Sequence, residues 1–202
     1  MSLSGTLATT GCAVPYAVGA KFARPHRPVV ALAGDGAMQM SGPAELITVA
    51  KYRLSWDDPR LVIGVWNNGD LNQVTWEMRA MGGSPQFVPS QWLPDVSCAA
   101  FARSLGMTGL RVEHPDEGED AWRTALECEG PAMVEFLTDP TVPPLPPHTG
   151  RDQAEATAAS LLRGDPERRA MVARGLRAKV QELLPRGRRP RGPPRPPGSR
   201  GP

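Results

Sequence analysis

Two short polar signals carry the strongest chemistry in the chain. Gly34-Asp35-Gly36 follows the apolar run Val29-Val30-Ala31-Leu32-Ala33, and Asn67-Asn68 follows Leu61-Val62-Ile63-Gly64-Val65-Trp66. A carboxylate and an amide oxygen form a hard-oxygen set, which suits Mg2+ held partly by protein and partly by phosphate oxygens. Glycines on both sides of Asp35 allow a backbone to approach a diphosphate closely. Each signal alone is ordinary turn chemistry. Together they are specific, because each ends an apolar run and 30 residues lie between Gly36 and Asn67.

These runs are short and nearly uninterrupted, as expected for strands buried on both faces of a parallel sheet. Ala132-Met133-Val134-Glu135-Phe136-Leu137 is a third, and Leu110-Arg111-Val112 a weaker fourth. Helical patterns lie between them. Ser41 is a candidate cap for a helix with Pro43 near its first turn, running through Ala50. Asp95 is a candidate cap for a helix through Phe101 that Gly106 stops. Asp116 to Glu127 reads as another, closed by Gly130. Alternating strands and helices predict a doubly wound, mostly parallel α/β sheet. Ligands of such sheets bind at the carboxyl edge. Ends of strands that are neighbours or one apart lie roughly 5–10 Å from each other, so Asp35 and Asn68 can share one ligand. A helix beginning near Ser41 would aim free N–H groups at the same place.

Composition sets the frame. The 202 residues are 40% hydrophobic and 22% charged, which fits a globular chain. No window approaches 18 uncharged apolar residues, so no membrane span is expected. The N-terminus lacks the basic segment of a signal peptide. Cys12, Cys98 and Cys128 are far apart and form no CxxC pair, which supports neither a disulfide framework nor a zinc site. A reducing cytoplasmic location is the expectation. The net charge of +2 hides an asymmetry, since residues 185–202 hold six arginines and no acid. Residues 1–184 therefore carry 17 Lys+Arg against 21 Asp+Glu, which excludes a nucleic-acid-binding domain on charge. Pro140 to Pro147 reads as an extended surface run. Helical patterns follow over Ala154 to Arg163 and Glu167 to Leu184, with a Gly164-Asp165-Pro166 break. The expected organisation is a binding domain over 1–147, a helical C-terminal extension over 148–184 that packs on a neighbouring domain, and a disordered Pro/Arg/Gly tail over 185–202.

The paired signals resemble the signature of thiamine diphosphate-dependent enzymes, in their C-terminal diphosphate-binding (PP) domain. Residues 6–46, TLATTGCAVPYAVGAKFARPHRPVVALAGDGAMQMSGPAEL, resemble the acetolactate synthase and pyruvate oxidase branch. Residues 67–83, NNGDLNQVTWEMRAMGG, resemble pyruvate oxidase and quinone-dependent pyruvate dehydrogenase. The resemblance covers about residues 4–147. It implies Mg2+ bound by Asp35, by the Asn68 side chain and by the Asp70 backbone carbonyl. It also implies a thiamine diphosphate site formed by Thr10, Gly11, Gly34, Asp35, Gly36, Ala37, Asn68, Asp70 and Leu71, with backbone around Ala8 to Gly11 facing the aminopyrimidine ring. Glu77 falls where pyruvate oxidase-like members place an active-centre acid; read from the sequence alone, it is equally a solvated helix carboxylate. The implied reaction is decarboxylation of a 2-oxo acid such as pyruvate. The product then passes to an electron carrier through FAD, to a second 2-oxo acid, or to a proton.

The family's complete site also needs a pyrimidine-binding (PYR) domain, which carries the glutamate that activates the cofactor, and a central domain that binds FAD in some members. Met1 falls just before the PP domain. The chain is therefore expected to hold half a site, completed within a homo-oligomer or by a PYR-domain chain. Thr10 stands where relatives place a bulky apolar prop for the cofactor. The spacing to Asn67 is long for the family, and the excess around Arg53 to Arg60 is expected to be a surface loop. The alternative is a non-catalytic PP-like domain that serves protein association. The absence of GxGxxG and GxxxxGK[ST] argues against a nucleotide-binding protein.

Overall fold

The four apolar runs become four strands: β1 (Val29–Gly34), β2 (Leu61–Asn67), β3 (Thr108–Val112) and β4 (Ala132–Leu137). The computed structural model describes residues 9–143 and 150–183, so the expected tail over 185–202, the second half of the proline-rich run and Ala8 lie outside the described residues. All strand pairs are parallel and the order is β1-β2-β4-β3. β1 and β2 are direct neighbours, with Gly34 opposite Trp66. The two polar signals therefore emerge side by side at the carboxyl edge, as the doubly wound reading requires.

One face of the sheet is covered by α1 (Ala13–Ala23), α2 (Asp35–Tyr52) and α5 (Cys98–Ser104). Its core joins Val14, Val18, Leu46 and Val49 to Ile63, Val65 and Met133. The other face is covered over β3 and β4 by α6 (Gly118–Glu127), with Val62, Val134 and Ala125 packed near Trp122 and Phe136. Each fully buried Val, Leu or Ile contributes about 1.5–3 kcal/mol over its exposed state. Gly64 marks a close approach, because a Cβ there would lie 2.8 Å from the Trp122 ring. α3 (Asn72–Gly82) and the single turn α4 (Val88–Gln91) follow the Asn-Asn loop.

Several local expectations change. β1 is an edge strand buried on one face only, and Val30 and Leu32 are more than half exposed. α2 starts at Asp35 rather than after Ser41, with Gly34 as its extended N-cap and Pro43 inside the helix. The chain turns directly from strand to helix, so the free N–H groups of the first turn lie at Asp35 itself. The cap of α5 is Ser97, whose Oγ accepts from Ala100 N at 3.2 Å, and not Asp95. The first turn after Pro115 is a 3-10 turn, and α6 itself runs from Gly118 to Glu127 with Cys128 as its C-cap. The segment after Arg53 is not wholly a surface loop, because Trp56 is buried. The ammonium of buried Lys21 lies 5.4 Å from the Trp56 ring centroid and donates to the carbonyls of Arg27 and Asp58.

The C-terminal helices fall in two compact units. α7 (Arg151–Leu162) belongs to the same compact unit as the sheet, which runs through Pro166, and it packs on α3. α8 (Arg168–Leu183) belongs to a second unit beginning at Glu167. The division has a physical basis in a buried ion pair between Arg79 and Asp165, described below.

Candidate functional site

Asp35 is the first residue of α2 and its carboxylate is almost fully buried. Oδ2 accepts from the backbone N–H of Asn68 at 3.0 Å and of Gly69 at 2.7 Å, and Oδ1 accepts from Gly36 N at 2.9 Å. Thus the two signals read from the sequence meet directly, before any ligand is considered. Burial pushes the Asp35 carboxyl above its ordinary value, opposed by the bonds from Gly69, Gly36 and Asn68. A carboxylate has about four lone-pair sites. At least three are taken by N–H groups, of Gly36, Asn68 and Gly69.

The two asparagines have different tasks. Asn67 is buried, and its Nδ2 donates to Glu135 Oε1 at 2.7 Å while its Oδ1 accepts from Gly69 N at 3.2 Å. Asn68 is half-buried, and its Oδ1 accepts from Asp70 N at 3.0 Å, which shapes a tight turn at Gly69 with φ +70°. The second lone pair of that amide oxygen remains for a cation. The Asp70 carboxylate is committed on both oxygens, to Gln86 Nε2 at 2.9 Å and to Asn72 Nδ2 at 3.3 Å. Its fixed side chain leaves the backbone carbonyl as the Asp70 group suited to a metal. One carboxylate, one amide oxygen and one carbonyl fit a hard cation that keeps phosphate or water ligands. Among the described residues no cluster of three His, Cys, Asp or Glu side chains offers another metal centre.

The other residues expected at a cofactor site stand as follows. A Cβ at Gly36 would stand 2.7 Å from Leu71 Cδ2, so Leu71 lies across the start of α2. Ala37 follows in the first turn, half-buried. Gly11 has φ +88°, and a Cβ there would lie 2.7 Å from Ser41 Oγ, so the turn before α1 rests against α2. Thr10 is exposed in that turn. Glu77 is exposed on α3, and its carboxylate accepts from Gln73 Nε2 at 2.8 Å, one turn away. It is not joined to the Asp35 cluster by any hydrogen bond recorded among the described residues.

Sequence reasoning passed over the groups that hold the loop. Glu135 is fully buried in β4, and Oε2 accepts from Ser97 Oγ at 2.9 Å and Ala99 N at 3.1 Å while Arg111 Nη1 reaches Oε1 at 3.1 Å. Burial alone would raise this carboxyl, but the bonds from Asn67, Ala99 and Ser97 and the Arg111 charge together hold it below its ordinary value. The available signal was a lone acid inside an apolar strand. Arg79, Gln86 and Asp165 were also passed over. Arg79 stands on the buried face of α3 with Trp76, a place where an unpaired charge is untenable.

Residues 1–136 match the family described as thiamine pyrophosphate enzyme, C-terminal TPP binding domain. The chain is 33% identical over 139 residues to an acetolactate synthase large subunit, named as probable, from Methanococcus aeolicus, covering 68% of this chain and 22% of that one. It is 37% identical over 125 residues to acetolactate synthase isozyme 3 large subunit of Escherichia coli (strain K12), covering 61% and 20%. A solved thiamine diphosphate-dependent 4-hydroxybenzoylformate decarboxylase of Rhodococcus jostii RHA1 superposes with a TM-score of 0.55 at 27% identity, over 64% of this chain and 23% of that one. The chain thus spans less than a quarter of the length of these three relatives. The strand-end meeting of Asp35 with the Asn68 loop and the family match over residues 1–136 lead to one conclusion: this chain belongs to the thiamine pyrophosphate enzymes, as their C-terminal cofactor-binding domain.

Proposed function

We propose that Asp35, the Asn68 amide oxygen and the Asp70 carbonyl hold Mg2+, and that this ion anchors the diphosphate of thiamine diphosphate against the first turn of α2. The carrying observation is the clasp of the Asp35 carboxylate by the Asn68 and Gly69 amides. It fixes the ligands from two strands relative to one another. The positive end of α2 and its free N–H groups favour the diphosphate at the same place. Gly34, Gly36, Ala37 and Leu71 line the approach, and the turn at Thr10 and Gly11 faces the ring portion of the cofactor.

The reaction we propose is decarboxylation of a 2-oxo acid such as pyruvate, in an enzyme resembling pyruvate oxidase or acetolactate synthase. Bound thiamine diphosphate supplies the nucleophilic carbon and the electron sink. The chain's own residues orient it and neutralise its charge. FAD in the complete assembly, an oxidative outcome and a cytoplasmic location belong to the same proposal.

Catalysis needs a second surface, supplied by a PYR domain in another chain or another copy. The exposed side chains support this. Val74, Glu77 and Met81 share one face of α3 at helical spacing, and Met81 is 78% exposed. Phe87 and Trp92 are exposed on the segment beside the Asp70 loop. Apolar groups clustered this way mark a surface built for covering. The test is reconstitution. Release of carbon dioxide from pyruvate should require thiamine diphosphate, Mg2+ and a PYR-domain chain of this branch, and Asp35→Asn should abolish it. A chain that keeps its oligomeric state after Asp35→Ala and binds no cofactor would instead be an association domain.

A further inference from the structure

The Asp70 carboxylate is the end of a hydrogen-bonded chain that begins in the C-terminal segment. Asp165, just beyond α7, is 1% exposed and takes a two-pronged bond from Arg79, Nε to Oδ2 at 2.8 Å and Nη2 to Oδ1 at 2.9 Å. Arg79 also lies 5.0 Å from the Trp76 ring centroid. Asp165 Oδ2 accepts in addition from the Gln86 N–H at 3.0 Å, and the Gln86 side-chain amide donates to Asp70 Oδ1 at 2.9 Å. Next to this path, Arg163 Nη1 donates to Gly83 O at 2.9 Å, at the left-handed residue that ends α3. The same stretch is braced from the other side, where Leu71 N donates to Gln91 O and Leu93 N to Gly69 O.

We infer that the Asp165–Arg79 pair, acting through Gln86, is a positioning device that holds the Asn68–Asp70 loop in cation-binding form. The role assigned to the loop rests on the proposed function above; the latch itself rests on the bonds just described. A buried ion pair is a poor source of net stability compared with apolar packing. Its value here is directional. The guanidinium fixes Asp165, Asp165 fixes the Gln86 backbone, and the Gln86 amide fixes the side chain of the residue whose carbonyl faces the metal. Gln86 and Asp165 are positioning residues, and neither touches cofactor or substrate in this account.

The experiment compares the full chain with Gln86→Leu and Asp165→Asn. Three quantities are read: melting temperature, hydrogen exchange at the Asp70 and Leu71 amides without ligand, and the Mg2+ concentration that half-saturates binding at fixed thiamine diphosphate. Gln86 is half-buried, so Gln86→Leu should still fold, with a modestly lower melting temperature because buried Asp70 loses one donor. Its Mg2+ midpoint should rise about fivefold, and exchange at Asp70 and Leu71 should quicken by a similar factor. Asp165→Asn should give the same two changes together with a larger fall in melting temperature, since it breaks the fully buried pair with Arg79. A folded Gln86→Leu protein with parental exchange at Asp70 and Leu71 would overturn the inference, as would a parental Mg2+ midpoint where the parent binds. If the parent binds no Mg2+, the functional reading fails, and the exchange measurement alone decides the latch.

Discussion

Asn67 and Glu135 join across neighbouring parallel strands by a 2.7 Å hydrogen bond, while the side chain of adjacent Asn68 caps the turn at Asp70. Two adjacent asparagines in the sequence thus split into a buried tether and the proposed cation ligand.

Removing the tether should be costly. Glu135→Ala would leave the Asn67 amide, the Ser97 hydroxyl and the Ala99 N–H without their buried acceptor. Each buried group left unmade costs about 1–3 kcal/mol. Urea unfolding should show a loss of several kcal/mol for Glu135→Ala and a smaller one for Glu135→Gln. A loss below about 1 kcal/mol for Glu135→Ala would contradict the tether.

The packing of α5 on β3 makes a second prediction. A Cβ at Gly109 would lie 2.1 Å from the Ala99 carbonyl oxygen, a backbone atom that cannot swing aside. Gly109→Ala should destabilise the chain by about 1–3 kcal/mol through overpacking. An unchanged melting temperature would show that α5 can move away from the sheet.

Much of the fold was legible because buried parallel strands read as continuous apolar runs. The four runs and the Gly164-Asp165-Pro166 break all lie where the sequence places them. Asp35 and Asn68 were legible because their glycine-rich, polar surroundings interrupt apolar text. The start of α2 was not, since Ser41 and Pro43 imitate an N-terminus while the less conspicuous Gly34 serves as cap. Glu135, Arg79 and Asp165 were not legible as partners. Their bonds join residues 68 and 86 positions apart, and no local period reports such a pairing. The exposed face of Val30 and Leu32 was also hidden, because an apolar run is the same in an edge strand and a central one.

Acid stability should report the Asp58–Arg60 pair. The guanidinium of Arg60 holds the Asp58 carboxyl at about 2, below the ordinary 3.8. A depressed carboxyl contributes stability above its unfolded value, and that contribution is lost as pH falls through its folded value. Between pH 3.8 and about 2 the parent should therefore lose stability more steeply than Asp58→Asn. Parallel curves in denaturant titrations over that range would refute the assignment.

Thiol chemistry gives a further check. Burial, and then the charges of Glu135 and Asp35, push the Cys98 thiol up to about 11. Reactivity follows the thiolate, so iodoacetamide at pH 8 should modify Cys98 only after unfolding. Prompt labelling of Cys98 in the native chain, read by peptide mass, would show that the core under β4 opens.

That Asp35 and the Asn68–Asp70 loop form one cation-dependent cofactor site is tested most directly by calorimetric titration of the chain with thiamine diphosphate, with Mg2+ and with EDTA, for the parent and for Asp35→Asn. Saturable heat is expected in the parent with Mg2+, and none with EDTA or in Asp35→Asn. No heat from the parent at millimolar cofactor, or equal heat from the variant, would contradict it.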